Sequence, residues 1–221
     1  MKGLFDLKKF LSMILILSTM IICGCGKEDS AELALSEMQT ALTERNFEKL
    51  SERIDVEKFF AQTYDEVTVE LVKNCEEYGK KYPEDPYFQH DAEFLQNYNS
   101  EHRELHLKFL QGVKDAYFAK LPEPATPEEN PHAYVANEFE KILKSSSAVV
   151  KDIKIENNHA TMTVEMQGDN SIRGHFIGNL TFKIGFDKDA EKKWHFTKIE
   201  NLDELVPPLV DKAELIWITF F

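Results

Sequence analysis

The period of the hydrophobic pattern changes once along this chain, near Val149. Before that point apolar residues recur about every 3.6 residues, which is the spacing of amphipathic helices. After it apolar and polar residues alternate, which is the spacing of strands that bury one face. We therefore predict an α+β domain in which N-terminal helices pack on a C-terminal antiparallel meander of three to four strands.

The helical part is divided by capping signals and prolines. Asp29 with Glu32 three residues on is typical of a capping box. A first helix is expected to end near Asn46, and a short second one follows. A longer helix is then expected to run from Val56 through Tyr78, until two prolines break the pattern. The next long helix, over residues 91–120, is predicted to bury one side, and a last helix covers 134–145. The side predicted to be buried consists of Phe94, Tyr98, Leu105, Phe109, Val113 and Tyr117.

The strand part begins with a hairpin whose two-residue turn is Asn157-Asn158. Strict alternation follows over residues 160–167, and a long strand is predicted over residues 176–186. A loop at 187–191 leads back into a strand that starts near Trp194. The apolar residues predicted to share the inner face of the long strand are Phe176, Leu180, Phe182, Ile184 and Phe186.

The first 25 residues have the layout of a secretory signal. Three lysines fall within the first nine residues, and an apolar run of 13 residues covers 10–22. That run is too short for a membrane span, which needs about 20 apolar residues. Ile22-Cys23-Gly24-Cys25 then resembles a bacterial lipobox, which implies cleavage before a cysteine and a thioether-linked lipid on it.

Cys25 is the cysteine expected to carry the lipid. It follows the small residue Gly24, whereas Cys23 follows the bulky Ile22. The predicted organisation is a signal peptide over 1–24, a lipidated tether over 25–30 and a single domain over 31–221. Within that domain the helical part is 31–147, the sheet part 149–201 and the apolar tail 202–221. An uncleaved N-terminal helical anchor is the alternative.

Charge narrows the choice of partners. The signal removes three of the 26 basic and one of the 39 acidic residues, which leaves a mature chain with a net charge of −15. Such a surface repels phosphate backbones, so nucleic acid is excluded as a partner. It also repels anionic headgroups, so attachment to the membrane is expected to come from the lipid on Cys25. Cys75 is then the remaining thiol, cannot form an internal disulfide, and is expected to be buried.

Two stretches resemble a known group of proteins. Residues 41–50 (ALTERNFEKL), continuing to Val56, resemble the helical opening of small uncharacterised bacterial lipoproteins with a cystatin-like or nuclear-transport-factor-like α+β roll. Residues 149–164 and 194–199 (WHFTKI) resemble the closing sheet of those proteins. The resemblance implies that fold and an extracytoplasmic location, and it implies no active site.

One pair of residues has the spacing of metal ligands. His102 and His106 lie at i and i+4 on one helix face, and His90, Glu101 or Asp91 are candidates for a further ligand. The pair lacks the order of a zinc-protease motif, and a hydrogen-bonded histidine between helices is the alternative. We therefore predict no metal, no cofactor and no catalytic residue. A metal-dependent hydrolase is retained only as the least favoured reading.

The aromatic residues of the sheet admit two readings. Phe182 and Trp194 either line a cavity for a small apolar ligand or belong to a packed core. The tail containing Trp217 is expected either to form a final strand or to present an exposed patch, after a sharp turn at Pro207-Pro208.

Together these observations predict a non-enzymatic, lipid-anchored lipoprotein of the bacterial cell envelope that binds or scaffolds an envelope protein. The expected location is extracytoplasmic, at the cell membrane or the outer membrane. The alternative is a carrier or sensor of a small apolar ligand held between sheet and helices.

Overall fold

A computed structural model of the chain describes residues 29–220, with the side chains of all of these except Phe176 and 215–220. The predicted signal peptide, Cys25 and Trp217 therefore lie outside the described residues or side chains. Helices occupy mainly the first half and strands the second, so the predicted α+β fold is confirmed. The helices are α1 (Ala31–Glu44), α2 (Phe47–Ser51), α3 (Val56–Lys73), α4 (Cys75–Lys81), α5 (Ala92–Phe118), α6 (Pro131–Lys144), α7 (Ile172–Ile177) and α8 (Leu202–Phe220), with a 3₁₀ turn at Tyr87–Gln89.

Short polar residues start most of these helices. Each accepts a hydrogen bond from a backbone N–H two to three residues into the helix, which satisfies one of the donors that a helix start leaves unpaired. The first cap is Ser30, which accepts from Leu33, so Asp29 is not the capping residue that the sequence suggested. The other capping side chains are Asn46, Asp55, Asp91, Asn130 and Ser171.

The sheet contains four antiparallel strands in the order β1-β2-β3-β4, as the predicted meander requires. They are β1 (Ser146–Glu156), β2 (His159–Gly168), β3 (Asn179–Lys188) and β4 (Trp194–Ile199). The turn at Asn157-Asn158 joins β1 to β2, with Asn157 at φ 58°. The sheet begins at Ser146, slightly before the predicted boundary at Val149.

The inner face of the sheet is the centre of the core. On β2 and β3 the apolar side chains pair across the strands, for example Val164 with Phe182 and Met162 with Ile184. All four of these side chains are at most 1 % exposed. Burying a large apolar side chain stabilises the fold by roughly 1.5–3 kcal/mol, so this face contributes strongly to stability. Phe176, which was predicted to extend the β3 face, lies instead in α7, because Gly178 at φ 59° separates that helix from the strand.

The last element differs from both predicted forms of the tail. The backbone of α8 continues as a helix through Pro207 and Pro208, so neither the sharp turn nor the final strand is present. A proline in the interior of a helix lowers helix stability by roughly 3 kcal/mol. In α8 the burial of a stripe of apolar side chains offsets this loss. The stripe recurs at helical spacing and consists of Leu202, Leu205, Val206, Leu209 and Val210, each at most 6 % exposed. The predicted exposed patch falls on side chains that are not described.

Helix α5 buries a different side from the predicted one. Leu95 and Leu110 are at most 2 % exposed, whereas Phe94 is 46 % and Leu105 is 59 % exposed. Only the C-terminal end of the predicted stripe, including Val113, is buried as expected. Across residues 29–220, no helix is both long enough and apolar enough to cross a membrane.

Candidate functional site

His102 and His106, the two histidines with the spacing of metal ligands, each form a hydrogen bond with another residue of the protein. The hydroxyl of Tyr64 lies 3.1 Å from Nδ1 of His106 and 3.0 Å from the carbonyl oxygen of Asn99. Nδ1 of His102 donates to the carbonyl oxygen of Tyr98 at 2.9 Å. One ring nitrogen of each histidine is therefore committed to a protein partner.

Burial further determines the state of His106. The side chain is 3 % exposed, and burial, aided by the neighbouring His102, lowers the pKa of His106 to about 4. The imidazole is therefore neutral at pH 7. Within the described part of the chain, no group of three or more His, Cys, Asp or Glu side chains is arranged to hold a metal ion. The described residues therefore give this pair too few ligands for a metal ion, since protein sites usually provide three or four.

The aromatic residues considered for a ligand cavity are packed. Phe182 is 0 % and Trp194 is 4 % exposed. The ring of Phe186, on the same strand face as Phe182, meets Phe196 edge to face at 5.9 Å between centroids. Cys75 is buried and free, as predicted.

A groove of about 340 Å³ lies at the surface, between α3 and the turn that joins β4 to α8. Five carboxylates and two apolar side chains line it. Val69, in the wall of the groove, is 63 % exposed. The lining residues are Asp65, Glu66, Val69, Glu70, Glu200, Leu202 and Asp203.

Some of these carboxylates are held by cations at the rim of the groove. Arg103 donates to both oxygens of Asp65 at 2.7 and 2.9 Å, and the Lys73 amine lies 3.1 Å from Glu70. Glu66 and Asp203 are exposed and have no ion pair among the described residues. The groove therefore keeps a negative potential beside an apolar wall.

Glu200 connects the groove to a histidine on the polar face of the sheet. Nε2 of His159 lies 2.8 Å from Glu200 Oε1, and Nδ1 lies 2.6 Å from Asp187 Oδ1. The Thr161 hydroxyl donates to the other oxygen of Glu200 at 2.9 Å. Since both ring nitrogens face carboxylates, the arrangement favours the doubly protonated imidazolium. The bond to Asp187, followed by that to Glu200, raises the pKa of His159.

Gly185 leaves room for the cluster formed by His159, Asp187, Glu200 and Thr161. A β-carbon at that position would lie 2.7 Å from Oε1 of Glu200 and 3.0 Å from the Thr197 hydroxyl oxygen. Any larger residue would displace the Glu200 carboxylate, so Gly185 provides the space in which His159 and Glu200 meet.

Sequence reasoning missed both the groove and the cluster. Nothing in the local pattern placed Glu200 opposite the acidic residues of α3. The available signal for the cluster was His159 directly after the Asn157-Asn158 turn. Such a position brings the first residue of a strand beside the end of its neighbour.

Comparison with known proteins adds no relative. The chain matches no protein-family model, no curated protein and no solved structure. The resemblance to cystatin-like lipoproteins therefore stays a prediction.

Proposed function

We propose that the chain is a lipid-anchored, extracytoplasmic protein of the bacterial envelope that acts by binding or scaffolding and not by catalysis. The lipid on Cys25 would attach it to the cell membrane or the outer membrane. Its proposed partner is an envelope protein. Nucleic acid is not a proposed partner, because the net charge of the mature chain is −15.

The observation that carries the proposal is how soon the fold begins after the lipobox. Asp29 is four residues beyond Cys25. Its carboxylate accepts hydrogen bonds from the Trp194 backbone N–H at 2.7 Å and from the Arg53 guanidinium at 2.5 and 3.2 Å. A signal followed at once by a folded domain is the arrangement expected of a domain held close to a bilayer.

The binding role is supported by the groove beside α3. Its carboxylates and the exposed side chain of Val69 are complementary to a peptide segment that carries lysine or arginine beside apolar residues. Charge complementarity of this kind favours encounter and correct orientation more than affinity. Of the two histidines first considered as metal ligands, His106 bonds to Tyr64 of the neighbouring helix α3, and His102 bonds to the Tyr98 carbonyl of its own helix.

The anchoring part of the proposal is tested with a matched pair of cysteine variants. Cys25→Ser is expected to abolish incorporation of labelled palmitate and to release the protein from the membrane fraction. Cys23→Ser, two residues away, is expected to leave both unchanged. Label that persists in Cys25→Ser, or that is lost in Cys23→Ser, would contradict the proposed attachment site.

No observation specifically supports either alternative, the ligand carrier or the hydrolase. The cavity between sheet and helices was expected to border Phe182 and Trp194, but both side chains are packed, and the groove described above contains neither. The hydrolase reading required a third ligand near His102 and His106, which the described residues do not supply. We therefore propose neither function.

A further inference from the structure

The carboxylates that line the groove beside α3 have counter-ions of different kinds. Two of these carboxylates are held by Arg103 and Lys73. A third, Glu200, is held by His159, with 2.8 Å between Oε1 and Nε2. Arginine and lysine side chains ordinarily keep their charge up to alkaline pH, whereas histidine changes charge between about pH 5 and pH 8. Of these three counter-ions, His159 is therefore the one whose charge depends on pH in the neutral range.

The contacts of His159 require a proton on both ring nitrogens. Nδ1 lies 2.6 Å from Asp187 Oδ1, and Nε2 lies 2.8 Å from Glu200 Oε1. An ionised carboxylate only accepts hydrogen bonds, so each contact needs an N–H, and a neutral imidazole has a single one. When His159 loses its proton, one of the two contacts is therefore lost.

The contact with Glu200 is the one that is lost. The bond to Asp187 is the shorter of the two, and it is the largest cause of the raised pKa of His159. The Thr161 hydroxyl donates to Glu200 Oε2 at 2.9 Å and also lies 3.3 Å from Nε2 of His159. Once Nε2 carries no proton it accepts from this hydroxyl, which has a single proton to donate. Glu200 then loses both of its donors.

The neighbouring strands bring further charged side chains to the same face of the sheet. Lys183 of β3 forms its ion pair with Glu204, at 2.8 Å. Three others are exposed and, among the described residues, form no hydrogen bond or ion pair with His159 or Glu200. They are Lys154 and Glu156 of β1 and Lys198 of β4. His159 is therefore the group through which pH acts on Glu200.

We infer that His159 controls the charge of the groove, because its protonated ring holds Glu200 and its neutral ring releases Glu200 to bind a basic segment. The inference rests on the proposed binding role of the groove. Glu66 and Asp203 line the same groove and have no ion pair among the described residues. Release of Glu200 adds a third uncompensated carboxylate to these two, so the groove binds basic segments weakly in acid and more tightly as the pH rises.

The size of the effect follows from the gain of one exposed charge. An exposed ion pair changes an equilibrium constant by a few-fold, so we expect binding to become about two- to fivefold tighter when His159 is neutral. Binding and proton release are linked, so a bound basic peptide must favour the neutral ring by the same factor. The bound peptide therefore lowers the pKa of His159.

The test uses the full chain in non-ionic detergent and a fluorescent lysine-rich peptide that contains leucine as the probe. Fluorescence anisotropy measures Kd at constant ionic strength from about pH 5.5 to about pH 8.5, and circular dichroism checks the fold at each pH. The wild-type chain should bind about two- to fivefold more tightly at the upper end of this range.

Three variants assign this rise to His159. His159→Gln should bind throughout with the affinity that the wild-type chain shows at the upper end. Asp187→Asn, which lowers the pKa of His159, should show the rise at lower pH. His175→Gln, which alters an exposed histidine of α7, should behave as the wild-type chain does.

Histidine ring signals followed by NMR provide a second measurement. Saturating peptide should lower the pKa of His159 by the logarithm of the affinity ratio, about 0.3–0.7. The same peptide should leave the pKa of His175 unchanged.

Three results would overturn the inference, and they are distinguishable. Wild-type binding that is the same at every pH, while Glu66→Lys, Asp203→Lys still weakens it, refutes control by His159 and leaves the groove as a binding site. A rise with pH that persists in His159→Gln assigns the effect to another group. If the wild-type chain does not bind the peptide, or the groove substitutions do not weaken binding, the proposed role of the groove is refuted and the inference falls with it.

Discussion

Arg53 and Asp29 form a two-point contact, with Nη2 2.5 Å from Oδ1 and Nη1 3.2 Å from Oδ2. The same guanidinium donates to Glu37 at 2.6 Å and to the carbonyl oxygen of Trp194 at 3.1 Å. One side chain from the short segment after α2 thereby joins the first described residue, α1 and β4. Burial opposes ionisation of Asp29, but Arg53 and the Trp194 N–H outweigh it, so the net effect is a lowered pKa for the Asp29 carboxyl.

Loss of this contact should destabilise the fold. Arg53 is 6 % exposed. We expect Arg53→Met to lower the free energy of unfolding by about 2 kcal/mol, the scale of a hydrogen bond to a charged group. Arg103→Met, which removes the more exposed pair with Asp65, should cost under about 1 kcal/mol. Urea unfolding of both variants measures the difference. Equal losses of stability would mean that the buried Arg53 contact stabilises the fold no more than the exposed Arg103 pair does.

Two leucines of α5 test which side of that helix is buried. Leu95 is 0 % and Leu105 is 59 % exposed. Leu95→Ala should lower the free energy of unfolding by about 2–5 kcal/mol, as truncations in a packed core do. Leu105→Ala should change it by no more than about 0.5 kcal/mol. Thermal or urea unfolding measures both losses of stability. A larger loss in Leu105→Ala than in Leu95→Ala would mean that the buried side is the one that the sequence pattern predicted.

That helix also shows why sequence reasoning failed there. The pattern counted Phe94 and Leu105 as buried because they are apolar. The buried side instead includes Asn99 and His106, whose polar atoms bond to tyrosines of other segments. Hydrophobicity along one helix cannot reveal partners supplied by distant parts of the chain.

Sequence reasoning succeeded where the signal was local. The turn at Asn157-Asn158, the alternation along β2 and the prolines after α4 were each visible in a few consecutive residues, and all were confirmed. The helix containing Pro207 was missed because the proline pair outweighed the helical spacing around it. The acidic groove was missed because Glu200 and Asp65 meet only through tertiary packing.

Acid should weaken the fold through His106. Its folded pKa of about 4 lies below the unfolded value of 6.5, so the unfolded chain binds the proton first. The stabilising contribution is complete above pH 6.5 and is lost as the pH falls towards 4, up to about 3 kcal/mol for a shift of this size. His106→Gln should remove this component from the pH profile of unfolding. His90→Gln, which alters an exposed histidine before α5, is the control, and an unchanged profile in His106→Gln would contradict the assignment.

His159 should titrate in the opposite sense. Because Asp187 and Glu200 raise its folded pKa, its contribution to stability is complete below pH 6.5 and is lost as the pH rises through the folded pKa. Histidine ring signals followed by NMR should give His159 a pKa above 6.5. Asp187→Asn should lower that pKa, since Asp187 is the largest favourable cause. A wild-type pKa at or below 6.5 would exclude the two-carboxylate arrangement.

Charge reversal in the groove should affect binding of basic segments. We expect the double variant Glu66→Lys, Asp203→Lys to weaken binding of a lysine-rich probe peptide that contains leucine. Glu128→Lys, Glu129→Lys, in the loop before α6, makes the same change in net charge elsewhere. Fluorescence anisotropy across salt concentrations compares them. If both variants bind the peptide equally weakly, the effect is due to net charge alone, and the groove is not a specific binding site.

Lipid attachment at Cys25 can be measured from the intact mass of the protein extracted with detergent from membranes of the cell that produces it. We expect a chain that begins at Cys25 and carries the added mass of a thioether-linked diacylglycerol, with or without a further acyl group. A chain that still begins at Met1, or one that begins at Cys25 without added lipid, would contradict it.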